Sequence, residues 1–251
     1  MALFSMGGEL TAAYAHRGVF ALIAGLTLAF SPLLLLIPDL RALRHAETLA
    51  VPSVPLLGGL LFAAIVLYVA VTAGLFAFSG PMGERIGLNT ATVGYILTVS
   101  TIVSLAGAGA ATALNVRWGR AIPISAFCLG YGIVALILCL WKDPVAYSVA
   151  VIASAVLYYF SLPYLFGMAA ALDRSGRWAA AAGSAYLLGF AAGPFFAGAV
   201  IDASGYATLA TVCIAMTVVA WALSVYVVAR AFAAGGLVDR LDRVRLRRRA
   251  E

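Results

Sequence analysis

Of the 251 residues, 64% are hydrophobic and only 10% are charged, and the mean hydropathy is +1.05. One core cannot hide that much apolar surface, so a soluble globule is excluded and the chain reads as an integral membrane protein. The formal charge of +6 then mostly reports how the chain is threaded, because its arginines fall in turns and tails.

The apolar runs are continuous and about twenty residues long, which favours helices over barrel strands of roughly ten residues with alternating polarity. A short lead carrying Glu9, His16 and Arg17 precedes the first run, residues 19–38. No basic n-region stands before that run and no small-residue cleavage site precedes Asp39, which disfavours a cleaved signal peptide. The linker, residues 39–55, holds two of its prolines among polar residues and is the longest connection. Six further runs follow at residues 56–79, 88–114, 121–141, 146–171, 178–201 and 208–232. Turns rich in Gly, Pro, Asn and Asp separate them: GPMGERIG, NVRWGR, KDP, LDRSGR and DASGYA. The expectation is an all-α membrane protein of seven transmembrane helices, one plus a six-helix bundle over residues 56–232, with a basic tail at 233–251.

If the linker faces the cytoplasm, that side gathers Arg41, Arg44, Arg117, Arg120, Arg174, Arg177, Arg230 and the arginines of the tail, leaving Arg17, Arg85 and Lys142 outside. The positive-inside rule then puts the amino terminus outside and the carboxyl terminus in the cytoplasm. The tail LVDRLDRVRLRRRAE aligns Leu237, Leu241 and Val244 on one helical face. A basic helix resting on anionic lipid is the plainer account of it, and no nucleic-acid partner is expected. Trp118, Trp141 and Trp178 fall at span boundaries and read as interface anchors. Cys128, Cys139 and Cys213 lie inside apolar runs at unrelated spacing and read as packing residues, with no metal, disulfide or cofactor behind them.

The chemistry-bearing residues exclude several classes. No Asp, Glu, Lys or His lies well inside any run, so no coupling carboxylate or proton relay is visible. There is no Ser, His and acid grouping at membrane depth, no H-E-x-x-H and no phosphate-binding loop, so an enzyme is not expected. A seven-helix retinal protein needs a lysine within its seventh helix, whereas the only lysine, Lys142, sits in the KDP turn.

What remains is a set of turns and smooth surfaces. In residues 173–206 the turn DRSGR leads into a helix carrying LGFAAGPFFAG and ends at D-x-x-G-Y. Gly176 permits a tight reversal, Asp173 or Ser175 can cap the new helix, and Arg174 and Arg177 hold the basic side. Ala185, Gly189, Gly193 and Ala197 recur every fourth residue as a ridge that lets another helix approach closely, and Pro194 frees a backbone carbonyl and bends the helix. Static packing of small residues is the plainer account of that ridge.

This stretch resembles the penultimate helix of the major facilitator superfamily. The turn NVRWGR, with Arg117, Gly119 and Arg120, resembles that family's cytoplasmic signature D-R-x-G-R-R, with Val116 in the position of the acid and Ala121 in that of the last basic residue. AYAHRGVFALIAGL is similar to the start of the family's sixth helix. The resemblance implies helices six to twelve of a twelve-helix transporter whose first five are missing, with two inverted three-helix repeats in the bundle. It also implies that the first helix of each repeat faces the solute pathway. On those helices Tyr68, Thr72 and Phe76 share one face and Ser154, Tyr158 and Ser161 another. For each, the alternative is a hydroxyl bonded back to its own helix or a tyrosine anchored at an interface. Arg117, Gly119, Arg120, Asp173, Gly176, Arg177, Gly189, Gly193 and Pro194 are the expected gating and packing residues.

The functional expectation is transport of a small solute across a plasma membrane. The partners would be the lipid bilayer, the solute, and the missing amino-terminal half or a second copy. The alternative is a complete seven-helix scaffold or partner subunit without transport.

Overall fold

The computed structural model describes residues 55–114, 119–172 and 176–250, with side chains through residue 231, and in addition Ala24, Gly25 and Leu28. The chain divides into two compact units, residues 1–51 and 52–251, and the fold below is that of the second. The first expected span and the linker lie outside the described residues, apart from Ala24, Gly25 and Leu28, which are helical.

The described part of the second unit contains six helices and no strand: α1 Pro55–Ala77, α2 Ser79–Arg85, α3 Thr90–Leu114, α4 Ala121–Leu140, α5 Pro144–Leu172 and α6 Arg177–Ala250. Five of them, all but α2, are long and apolar enough to cross a membrane. Leu105, Leu129, Val145, Leu187 and Phe195 stand exposed on the outside of the bundle, a surface suited to lipid and not to water. The protein is therefore an all-helical, multi-pass membrane protein.

Local chemistry sets the helix boundaries. Asn89 caps α3 by accepting from the Thr92 N–H at 2.7 Å, and Asp143 caps α5 by accepting from the Ala146 N–H at 2.7 Å. Pro144 follows as the first residue of α5, where its missing N–H costs nothing, and it biases Asp143 away from helical geometry so that α4 ends before it.

One expected turn differs from the structure and another is tighter than a loop. GPMGERIG contains α2, because Pro81 lies in a first turn that needs no donor from it. DASGYA separates two spans as expected but does so at one residue: α6 is helical on both sides of Gly205, which alone leaves helical geometry at φ 79°, ψ −179°. The helix therefore consists of two limbs, residues 177–204 and 206–250. That backbone conformation is essentially reserved for glycine, and forcing an L-residue into it costs about 1–3 kcal/mol. Gly205→Ala is thus expected to lower the thermal unfolding midpoint in detergent, although no atom lies within 4 Å of the added methyl position. An unchanged midpoint would show that the limbs tolerate another angle.

The long helices form two sets of three, α1, α3 and α4, then α5 and the two limbs of α6. Their pairing is reciprocal. The first helix of one set lies along the middle helix of the other: Val66 and Ala70 of α1 approach Gly189 and Gly193, while Gly107 of α3 faces the Val156 backbone of α5. In both pairs the helices run parallel, since Gly58 meets Trp178 and Gly74 meets Ala197 at the two ends of α1, and α3 and α5 share Gly83 as a neighbour near their amino termini through Val93 and Tyr147. The two first helices run antiparallel: Tyr68 of α1 meets Ser161 of α5 at one level, and Tyr147 of α5 donates to the carbonyl of Ser79, just beyond the end of α1, at another. The third helices also run antiparallel: Cys128 faces the Thr217 carbonyl and Trp221 Nε1 donates to Ser125 Oγ at 2.8 Å. The second set is therefore arranged as the first turned upside down.

Charge separates the two ends of this bundle. Among the described residues with side chains, Arg120, Arg177 and Arg230 lie at one end, and Glu84, Arg85, Lys142, Asp143 and Asp202 at the other. At the latter end Arg85 Nη2 donates to the Cys139 carbonyl at 2.6 Å, and its guanidinium lies 4.1 Å from the centre of the Tyr206 ring. A cation on the last turn of α4 is favourably placed against the helix dipole.

Candidate functional site

α1 is the most enclosed helix, with Ile65 and Val69 fully buried, so the polar groups it carries inward have to find partners inside the bundle. Its middle does so against α5. Tyr68 Oη meets Ser161 Oγ at 2.5 Å and donates to the Tyr158 carbonyl at 3.1 Å. The Tyr68 ring packs at 4.2 Å from that of Phe127 on α4 and 5.9 Å from that of Tyr158. Tyr68 and Ser161 form a closed interhelical bolt, buried at 4% and 0% exposure.

One level away from this bolt lies a cavity of about 160 Å³ between α1, α3, α4, α5 and the first limb of α6. Four hydroxyl residues line it: Thr72, Ser100, Thr101 and Ser154. Six rings complete the wall: Phe76, Tyr131, Tyr158, Tyr159, Tyr186 and Phe190. No charged side chain lines it. Phe76, Tyr159 and Phe190 are about half exposed, which leaves the cavity open on the bundle surface.

Every Ser and Thr hydroxyl on this wall donates to its own helix. Thr72 Oγ1 is 2.9 Å from the Val69 carbonyl oxygen, Ser100 Oγ 2.8 Å from that of Leu97, Thr101 Oγ1 2.9 Å from that of Leu97, and Ser154 Oγ 2.7 Å from that of Val151. Among the described residues no buried side-chain polar atom lacks a partner.

The six residues expected on two pathway faces are thus brought together, but in two different settings. Thr72, Phe76, Ser154 and Tyr158 line the cavity, whereas Tyr68 and Ser161 bond to each other beside it. Ser100, Thr101, Tyr131, Tyr159, Tyr186 and Phe190 were not singled out from the sequence. The Tyr186 and Phe190 pair, at four-residue spacing on the helix of the glycine ridge, is the signal that points to them; their rings stack at 6.1 Å.

The packing residues divide in the same way. Gly189 and Gly193 are buried in the crossing with α1, flanked by fully buried Ala185 and Ala197. Pro194 lies inside the first limb without interrupting it, and the break in α6 is at Gly205. Gly119 and Gly176 take left-handed φ values of 72° and 76° in the turns before α4 and α6, next to Arg120 and Arg177. Arg117, Trp118, Asp173, Arg174 and Ser175 lie outside the described residues. Trp141 is exposed as an interface anchor would be, but Trp178 packs its ring over Gly58 of α1. No family model, curated protein or solved structure matches this chain.

Proposed function

We propose that the chain is the carboxyl-terminal part of a transporter of the major facilitator type, moving a small solute across a plasma membrane. The observation that carries this reading is the reciprocal pairing of two oppositely directed sets of three helices around a polar and aromatic cavity. Inverted repeats that meet at the solute site are the usual construction of secondary transporters. In this reading the chain has seven spans, the described bundle supplying six, and the two limbs of α6 cross separately. The end carrying Arg120, Arg177 and Arg230 is cytoplasmic by the positive-inside rule, which places the amino terminus outside. The cavity is one wall of the pathway, and a second bundle supplies the other. That bundle is an upstream segment of the same protein or a second copy of this chain.

Reading the DNA upstream of Met1 and reconstituting the purified chain test this together. In-frame sequence for about five further apolar spans is expected, and the isolated chain is expected to give no solute flux until its other half is co-expressed. Robust flux from the purified monomer would contradict the fragment reading. The absence of any charged side chain on the cavity wall favours a second reading, a membrane scaffold without transport. An in-frame stop upstream together with an unrelated subunit that co-purifies tightly would establish that alternative.

A further inference from the structure

The hydrogen-bond directions on the cavity wall narrow the solute, and this step rests on the cavity being the solute site. A hydroxyl has one proton. Thr72, Ser100, Thr101 and Ser154 each give theirs to a main-chain carbonyl of their own helix, so toward the cavity they can only accept. The wall thus offers four hydroxyls that can only accept, four tyrosine hydroxyls as its donors, and no side-chain N–H or cation.

An anion placed there would exchange water for a wall with no cation and no N–H to pair it, and burying an unpaired charge is costly. A cation finds the opposite. The negative faces of aromatic rings attract ammonium groups without any carboxylate, and six rings stand on this wall. Drug-sized sites begin near roughly 300 Å³, so a cavity of about 160 Å³ suits a solute with a single ring. We infer that the site takes a small aromatic amine, whose N–H groups bond to the acceptor hydroxyls of Thr72 and Ser154 while its ring lies among Phe76, Tyr158 and Phe190.

Three probes with the same ring and different heads test this on the purified full chain in lipid nanodiscs: phenethylamine, 2-phenylethanol and phenylacetate at pH 7. Titration calorimetry is expected to give phenethylamine the tightest binding, with phenylacetate at least tenfold weaker and the alcohol between them. Phe190→Leu, at a half-exposed position where folding is not at risk, should weaken the amine about fivefold or more. Phenylacetate or the alcohol matching the amine, or no binding of any probe up to millimolar concentration, overturns the assignment. Amine binding by a chain that gives no flux even with its other half would keep the assignment and remove the transporter reading. Flux of an anionic solute without amine binding would do the reverse.

Discussion

Gly193→Ala is expected to destabilise the bundle by about 1–3 kcal/mol, the usual range for forcing a methyl group into a packed interior. A methyl at Gly193 would lie 2.5 Å from the Ala70 carbonyl oxygen and 2.8 Å from the Gly74 nitrogen. Both are main-chain atoms, so no side chain can rotate away and α1 has to move off α6 as a whole. Association of helices in lipid depends on such close approach, since apolar side chains gain nothing by leaving lipid tails. Thermal unfolding of the purified protein in one detergent reads the effect. Gly183→Ala is the control: nothing lies within 4 Å of its methyl position, and alanine is the better helix former. Gly183→Ala should be neutral or stabilising, and a Gly193→Ala protein as stable as the parent would show that the crossing is not tight.

Tyr68→Ala is expected to cost more, about 3–5 kcal/mol, in the range for deleting a buried ring. It removes the ring packed at 4.2 Å from that of Phe127 and the hydroxyl that holds α1 to α5. Tyr68→Phe keeps the ring and should lose only about 1 kcal/mol, because Ser161 retains its own bond to the Leu157 carbonyl at 2.6 Å and is not orphaned. The same unfolding assay orders the two variants. Equal losses from both would mean that the hydroxyl, and not the ring, carries the contact.

The sequence made the membrane class legible because length and apolarity alone decide it. Spans 88–114 and 121–141 differ from α3 and α4 by one or two residues, since Asn89 and the KDP turn punctuate them with side chains that cap or stop a helix. The ridge from Ala185 to Ala197 was equally readable, because small residues at four-residue spacing have few other uses. Less legible was what each face would meet. Tyr68 and Ser161 carry the same helical spacing as Thr72 and Ser154, and only the height at which α1 crosses α5 decides that the first pair bonds to itself. Ser100, Thr101 and Tyr131 were hidden for a related reason: a single helix does not say which of its sides a third helix will leave uncovered. The DASGYA segment was legible as a break between spans because Asp, Ser and Gly cluster in turns, but not that one glycine suffices to redirect the chain.

The reciprocal pairing also bears on how the protein is made. α1 enters the membrane early, but its partner ridge around Gly193 is synthesised only after most of the described chain. Contacts between segments so distant in sequence form slowly, because the intervening loop must close first. During that interval the small-residue face of α1 is without its final partner. Docking of the first limb of α6 on α1 is therefore a late step of biogenesis, followed by that of the second limb on α4, and until then the nascent protein is open to capture by insertion chaperones or by quality-control proteases.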